Sequence, residues 1–210
     1  MLKAGLAYFG KESRTVAGPA PPVWRQLFHL TVGSSIPVAG IFAPEQGMLI
    51  ALAVVSGGGL GLDLARFRLS WLNRQFLRWL APLLKYDEGR RFTGATYLVV
   101  AGLLAFLFFD AAVAVPAMLF LSLGDPMAAL AGRRMRGPRL LGKSPAGTAA
   151  FIAVSLAAVG VLVGGNAIEF HWGLLAGAVI AGLVELASLP PDDNLAVPLV
   201  AGAAMHFLGV

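Results

Sequence analysis

The sequence predicts an all-α integral membrane protein of about seven transmembrane helices, with one further amphipathic helix lying at the membrane surface near 67–85. Three observations predict it. First, 58% of residues are hydrophobic, 13% are charged and the mean hydropathy is +0.77, whereas an average soluble domain is about 25% charged. Second, apolar runs of near-membrane length recur between short polar breaks. The 210 residues leave room for roughly six to eight segments of about 20 residues. Third, the basic residues are confined to alternate breaks. The 26 glycines suit closely packed membrane helices. The lack of cysteine excludes disulfide, iron–sulfur and thiolate chemistry. A net charge of +5 would suggest nucleic acid for a soluble chain; here the distribution of charge matters more than its sum, and no nucleic-acid partner is expected.

In chain order, residues 1–24 carry Lys3, Lys11 and Arg14 and end in the helix-breaking run Gly18-Pro19-Ala20-Pro21-Pro22. They read as a cytoplasmic or interfacial arm. The first 25 residues lack an apolar stretch followed by a cleavage site, so no signal peptide is expected. Residues 25–210 read as a single polytopic membrane domain. Span one runs from Arg25 to Ala43, with a kink expected at Pro37. Pro44-Glu45-Gln46-Gly47 is a turn, and span two runs from Met48 to Arg66. Its Gly57-Gly58-Gly59-Leu60-Gly61 run reads as helix packing rather than a nucleotide loop. Over 67–85, large apolar residues, Trp71 and Trp79 among them, alternate with Arg68, Arg74, Arg78 and Lys85, the pattern of an interfacial helix. Span three is 93–109, Asp110 is a short turn, and span four is 111–131. A basic loop fills 132–147, span five is 148–163, and 164–169 turns into span six, 170–189. Pro190-Pro191-Asp192-Asp193-Asn194 leads into span seven, 195–210.

Counted alternately, the breaks 1–25, 66–92, 132–147 and 189–194 fall on one side and hold all 16 lysines and arginines. The breaks 43–47, 110 and 164–169 hold none. The positive-inside rule makes the basic side cytoplasmic and puts the N-terminus there. The polar residues that stand out in the spans gather at that same side.

Gly124-Asp125 precedes the basic loop, and Lys143-Ser144-Pro145-Ala146-Gly147-Thr148 opens span five. A helix start offers unpaired N–H groups to phosphate, Arg133, Arg139 and Lys143 add charge, and Asp125 is a hard oxygen ligand for a divalent cation. Residues 137–144 match G-x-x-x-x-G-K-S literally, but a P-loop needs a preceding strand, and here an apolar helix precedes. The plainer alternative is a basic loop resting on anionic headgroups. Asp125 near the membrane boundary reads as functional, or as a partner of Arg133 or Arg134. Asp192 and Asp193 read as an ordinary turn or as the rest of a magnesium site with Asp125. Glu185, two helical turns earlier, needs a cation, for which Arg66 or Arg25 is the expected partner. Arg25 and His29 share a helix face. Asp63 and Arg66 are spaced to pair with each other. Arg25, His29, Asp63, Arg66 and Asn194 are thus lipid-facing or structural polar support.

Taken together, these residues resemble the CTP-dependent lipid kinases, the family of dolichol or polyprenol kinase, yeast-type diacylglycerol kinase and phytol kinase, itself distantly similar to the phosphatidate cytidylyltransferases. The resemblance covers nearly all of residues 25–200. It rests on Arg25, His29 and Gly33; on Arg91-Phe92-Thr93-Gly94-Ala95-Thr96-Tyr97; on Gly124-Asp125, Ala128-Ala129 and Gly132; on Lys143-Ser144 with Gly147-Thr148; and on Glu185, Asp192-Asp193-Asn194 and Pro198. It implies that the membrane domain is catalytic and cytoplasm-facing, in the cytoplasmic membrane. CTP would be the phosphoryl donor, Mg2+ the cofactor and a membrane lipid alcohol the acceptor; a homodimer is a further expectation. Lys143, Ser144, Gly147 and Thr148, with Arg133 or Arg139, would cradle the nucleotide phosphates. Asp125, Asp192 and Asp193 would hold the metal, and Asp193 or Glu185 would act on the alcohol. The alternatives are a cytidylyltransferase making a CDP-lipid from CTP and a lipid phosphate, and a non-enzymatic transporter or scaffold.

Overall fold

Hydrocarbon offers no hydrogen-bond partner to a bare peptide group, so an apolar chain of this kind closes its backbone bonds within helices. The computed structural model describes residues 22–80, 83–84, 88–89, 91–135 and 139–210. The expected arm up to residue 21, part of 81–90 and residues 136–138 of the basic loop lie outside the described residues. The helices are α1 (Pro22–Phe28), a π-helical turn (His29–Gly33), α2 (Ser34–Phe42), α3 (Glu45–Arg68), α4 (Ser70–Leu80), α5 (Gly94–Phe108), α6 (Ala111–Arg134), α7 (Pro145–Gly164), α8 (Trp172–Ala187) and α9 (Asp193–Phe207). Among the described residues the only β-type pairing is an isolated bridge between Leu140 and Lys143. Helices α3, α6 and α7 are long and apolar enough to cross a membrane; α5 and α8 are shorter apolar helices.

Helix α6 is the centre. Every residue from Val113 to Ser122 is buried, and a helix covered on all sides must be apolar all round. It packs against α2, α5, α7, α8 and α9. Helix α3 is peripheral. It buries a single stripe, Met48, Leu52, Ser56, Asp63 and Arg66, against α5. Of its glycine run, Gly59 meets Thr96 while Gly57, Gly58 and Gly61 face open space, so the packing role expected for the whole run falls to Gly59.

Two boundaries differ from the sequence reading. The distortion of span one is the π-helical turn at His29–Gly33, not a break at Pro37, which sits inside α2. A proline ring crowds the carbonyl four residues earlier. That residue is Gly33, and the widened turn ending there absorbs the clash. The amphipathic helix begins at Ser70 rather than at residue 67, because α3 runs on through Phe67 and Arg68 to an extended Leu69.

Neighbouring helices alternate in direction. Thr93 meets Asp63, Asn194 meets Gly94, Lys143 meets Glu185 and Asp193, and Arg133 meets Gln26. The C-terminal ends of α3, α6 and α8 therefore share one end of the bundle with the N-terminal ends of α1, α5, α7 and α9. Every described lysine and arginine lies at that end. The far end is closed by apolar contacts such as Phe106 on Gly40 and Phe109 on Gly202.

The α6–α7 seam has no room to spare. A Cβ on Gly124 would fall 2.4 Å from the Phe151 ring, and one on Gly147 would fall 2.8 Å from the backbone oxygen of Ala128. A side chain can turn away; a helix carbonyl cannot. Gly147→Ala is expected to prise α7 off α6 and to cost about 1–3 kcal/mol, as overpacking does. Thermal unfolding in detergent measures it, with Gly57→Ala, which meets nothing, expected to leave the midpoint unchanged or slightly raised, since alanine is the better helix former.

Candidate functional site

Two polar clusters occupy the charged end. The first ties α3, α4 and α5 together. Arg66 and Asp63 have side chains 0% and 2% exposed and pair at 2.6 Å. The Arg66 guanidinium also donates to Asn73 Oδ1 at 3.1 Å and to the Arg91 carbonyl. Its flat face lies 4.6 Å from the Phe67 ring and 4.7 Å from that of Phe76, which is cation–π contact on a desolvated charge. Asp63 Oδ2 accepts from Thr93 N at 3.0 Å and Thr96 Oγ1 at 2.7 Å. Asn73 Nδ2 donates to the Gly89 carbonyl at 3.3 Å. A buried ion pair is tolerable only with its remaining donors and acceptors satisfied, and this one satisfies them. Asp63 and Arg66 therefore serve as a structural joint.

The second cluster centres on Lys143. Leu140 and Lys143 exchange backbone hydrogen bonds at 2.8 and 2.9 Å, around Leu141 at φ 53° and Gly142 at φ 84°. Two successive left-handed residues make the tight two-residue turn of a hairpin. That conformation suits Gly142 and strains Leu141. The turn delivers Lys143 to the ends of α8 and α9. Its Nζ lies 2.8 Å from Glu185 Oε1 and 2.9 Å from Asp193 Oδ2, and it donates to the Glu185 carbonyl in the last turn of α8. Burial alone would lower the pKa of this ammonium. The hydrogen bonds and charges of Glu185 and Asp193 outweigh that and hold it above its ordinary value.

Two buried oxygens here have no hydrogen-bond partner, Glu185 Oε2 and Thr148 Oγ1. Asp125, half-buried on α6, is close enough to act electrostatically on Glu185. Ser144, the residue before α7, makes no side-chain cap, so the first-turn amides of Ala146 and Gly147 have no intrahelical acceptor. The arrangement is thus a lysine between two carboxylates, a third carboxylate nearby, and an uncapped helix start beside them.

The clusters meet at Gly94. Its N–H donates to Glu88 Oε1 at 3.1 Å and its carbonyl accepts from Asn194 Nδ2 at 3.2 Å. A Cβ on Gly94 would lie 2.6 Å from that amide nitrogen. Asn194 therefore fixes α9, and with it the adjacent Asp193, against α5.

Other site residues fall elsewhere. Glu185 is paired with Lys143, not with Arg66 or Arg25; Arg66 is spent on Asp63, one cluster away. Asp192 caps α9 by accepting from Asn194 N at 3.0 Å and faces the neighbourhood of Tyr97 and Arg91. The expected trio Asp125, Asp192 and Asp193 does not form: among the described residues no three His, Asp or Glu side chains are set to hold an ion. Arg139 is exposed and donates to the Gly142 carbonyl within its own turn, and exposed Arg133 donates to Gln26. His29 is buried beneath α1 and Arg25 is half-buried. Sequence reasoning missed Asn73, Glu88, Thr93 and Thr96 as members of these networks. Asn73 carried one signal, a polar residue on the apolar side of the amphipathic pattern. Glu88 carried none, yet is 5% exposed. No family model, curated protein or solved structure matches the chain.

Two outcomes follow from the charges. Arg66→Gln leaves Asp63 buried without its cation and should cost about 3–5 kcal/mol; adding Asp63→Asn should recover part of that loss, read as melting midpoints in detergent. For Lys143 the folded pKa is raised. Its contribution to stability is complete below the ordinary value of 10.5 and is lost as pH rises through the higher folded value. Melting midpoints should fall on that alkaline limb in the wild type and fall less steeply in Lys143→Arg, whose guanidinium keeps its proton.

Proposed function

We propose that this chain is a membrane-embedded kinase that moves the γ-phosphoryl group of CTP to the hydroxyl of a membrane lipid alcohol. The observation that carries the reading is the Lys143 cluster: a cation clasped by Glu185 and Asp193, beside Asp125, two unpartnered buried oxygens and an uncapped helix start. Phosphoryl transfer needs positioning and charge neutralisation more than covalent chemistry, and these are the groups assembled here. The choice of CTP rests on the family resemblance. Seven crossings are supported by the helices: α1 with α2 as one, then α3, α5, α6, α7, α8 and α9. A cytoplasmic site in the cytoplasmic membrane is supported by the gathering of every described lysine and arginine at its end.

The residues fit a magnesium ion. Mg2+ typically takes one or two carboxylates, with substrate phosphates and water completing its shell. Asp125 and the unpartnered oxygen of Glu185 would supply that number, and Asp193 pairs with Lys143. A bound ion would neutralise charge on the phosphates. Lys143 would turn its ammonium from a carboxylate to a phosphate oxygen. The amides of Ala146 and Gly147 and the Thr148 hydroxyl would hold the others, and Ser144 flanks them. The lipid oxygen forms a bond to the γ-phosphorus as the bond to the β-phosphate oxygen breaks. The hydroxyl proton passes to Asp193 or Glu185. The products are CDP and a lipid monophosphate.

Purified protein, CTP, magnesium and a panel of lipid alcohols, followed by mass spectrometry of the lipid, tests this reading. A lipid monophosphate with CDP is expected. Pyrophosphate and a CDP-lipid formed from a lipid phosphate would identify a cytidylyltransferase instead. No turnover with any alcohol or lipid phosphate would favour a transporter or scaffold. Asp125→Asn and Lys143→Ala are each expected to lower turnover by about 10²-fold or more, the usual effect of removing one electrostatic stabiliser. Arg139→Ala should leave it nearly intact, because that side chain is exposed and bonded within its own turn.

A further inference from the structure

Helix α4 fully buries none of its eleven residues. By position on the helix it divides into halves. Leu72, Asn73, Phe76, Leu77 and Leu80 are half-buried, and the other residues are exposed. The inner half is fastened: Asn73 is bonded to Arg66 and to the Gly89 carbonyl, and the Phe76 ring lies against the Arg66 guanidinium. These bonds fix the rotation of α4, and so fix what its outer half presents.

That outer half is ordered by chemistry. Arg74 and Arg78, one turn apart, form one edge. Trp79, 78% exposed, forms the other, and Trp71, 58% exposed, lies between them. Exposed Arg68 is the last residue of α3, two positions before α4 begins. Residues 67–80 contain no aspartate or glutamate. The helix also follows directly on the C-terminal end of α3, which is long and apolar enough to cross the membrane. This places it at headgroup depth, where tryptophan rings and arginine side chains both settle.

We propose that the outer half of α4 is a binding site for anionic phospholipid headgroups of the leaflet at the charged end of the bundle. Arg74 and Arg78 donate to headgroup phosphates, for which the planar guanidinium is well shaped. Trp71 and Trp79 sit at the base of the headgroups, and Arg68 adds charge beside them. The site is separate from the Lys143 cluster and does not depend on the enzymatic reading.

The test uses the full chain in phosphatidylcholine nanodiscs. Trp24→Phe and Trp172→Phe leave Trp71 and Trp79 as the emitters among the four tryptophans. A small, equal fraction of brominated phosphatidylglycerol or brominated phosphatidylcholine serves as quencher. Each basic residue near an anionic lipid enriches it roughly fivefold, so phosphatidylglycerol is expected to quench at least about twofold more strongly. The contrast should shrink at high salt. It should vanish in Arg68→Gln/Arg74→Gln/Arg78→Gln and persist when the same three are changed to lysine. Should the triple glutamine variant be unstable, Arg74→Gln alone reports in the same direction. Equal quenching by both lipids in the parent protein, or an undiminished contrast in the glutamine variant, would overturn the proposal.

Discussion

A carboxylate enclosed by apolar helices must find a cation and enough hydrogen bonds, because no water is there to solvate it. That constraint governs the charged end of this bundle. Asp63 meets it with Arg66 and two threonines, and Glu185 with Lys143. The difference between them is instructive. Asp63 uses both its oxygens and Arg66 spreads its donors over three partners. Glu185 keeps one buried oxygen unpartnered, with Asp125 nearby. A satisfied pair holds the fold together. An incompletely satisfied one calls for an explanation, such as a water, an ion or a catalytic role, and the proposed nucleotide and its metal would supply one.

Helix direction does the rest of the assembly. Alternation brings the starts of α5, α7 and α9 to the end where α3, α6 and α8 finish. Positive helix starts thereby stand among acidic side chains, and the Glu185 carbonyl, at the negative finish of α8, accepts from Lys143. Residues far apart in sequence meet in this way. The one local device is the tight turn from Leu140 to Lys143, which strains Leu141 while carrying the lysine across to α8 and α9. Gly94 then joins the two clusters through Asn194, so the structural joint and the candidate site share a backbone segment.

Close approach of small residues sets the distances. Hydrocarbon gives apolar helices little reason to associate, so contact area and packing must hold them. Gly124 and Gly147 let α6 and α7 touch, Gly177 receives Met205 of α9, and Gly182 receives Ile152 of α7. The glycine-rich run of α3 does not follow this rule. Three of its glycines face outward, consistent with a helix that touches the bundle along one stripe and carries α4 at its end.

The sequence by itself determined the helical class, the membrane character and the places where helices lie. Long apolar runs must be helical in hydrocarbon, and charges and prolines mark their ends. It also singled out Asp125, Lys143, Glu185 and Asp193, since ionisable residues beside apolar segments are costly to keep. Tertiary structure alone decided who pairs with whom. Spacing within a helix was enough for Asp63 and Arg66, three residues apart. It could not show that Glu185 takes Lys143 rather than Arg66, that Asp192 turns back to cap its own helix, or that Glu88 and Asn73 are drawn inside. Those outcomes depend on helix rotation and on the reach of side chains across a packed seam, which no pattern along one strand of chain encodes.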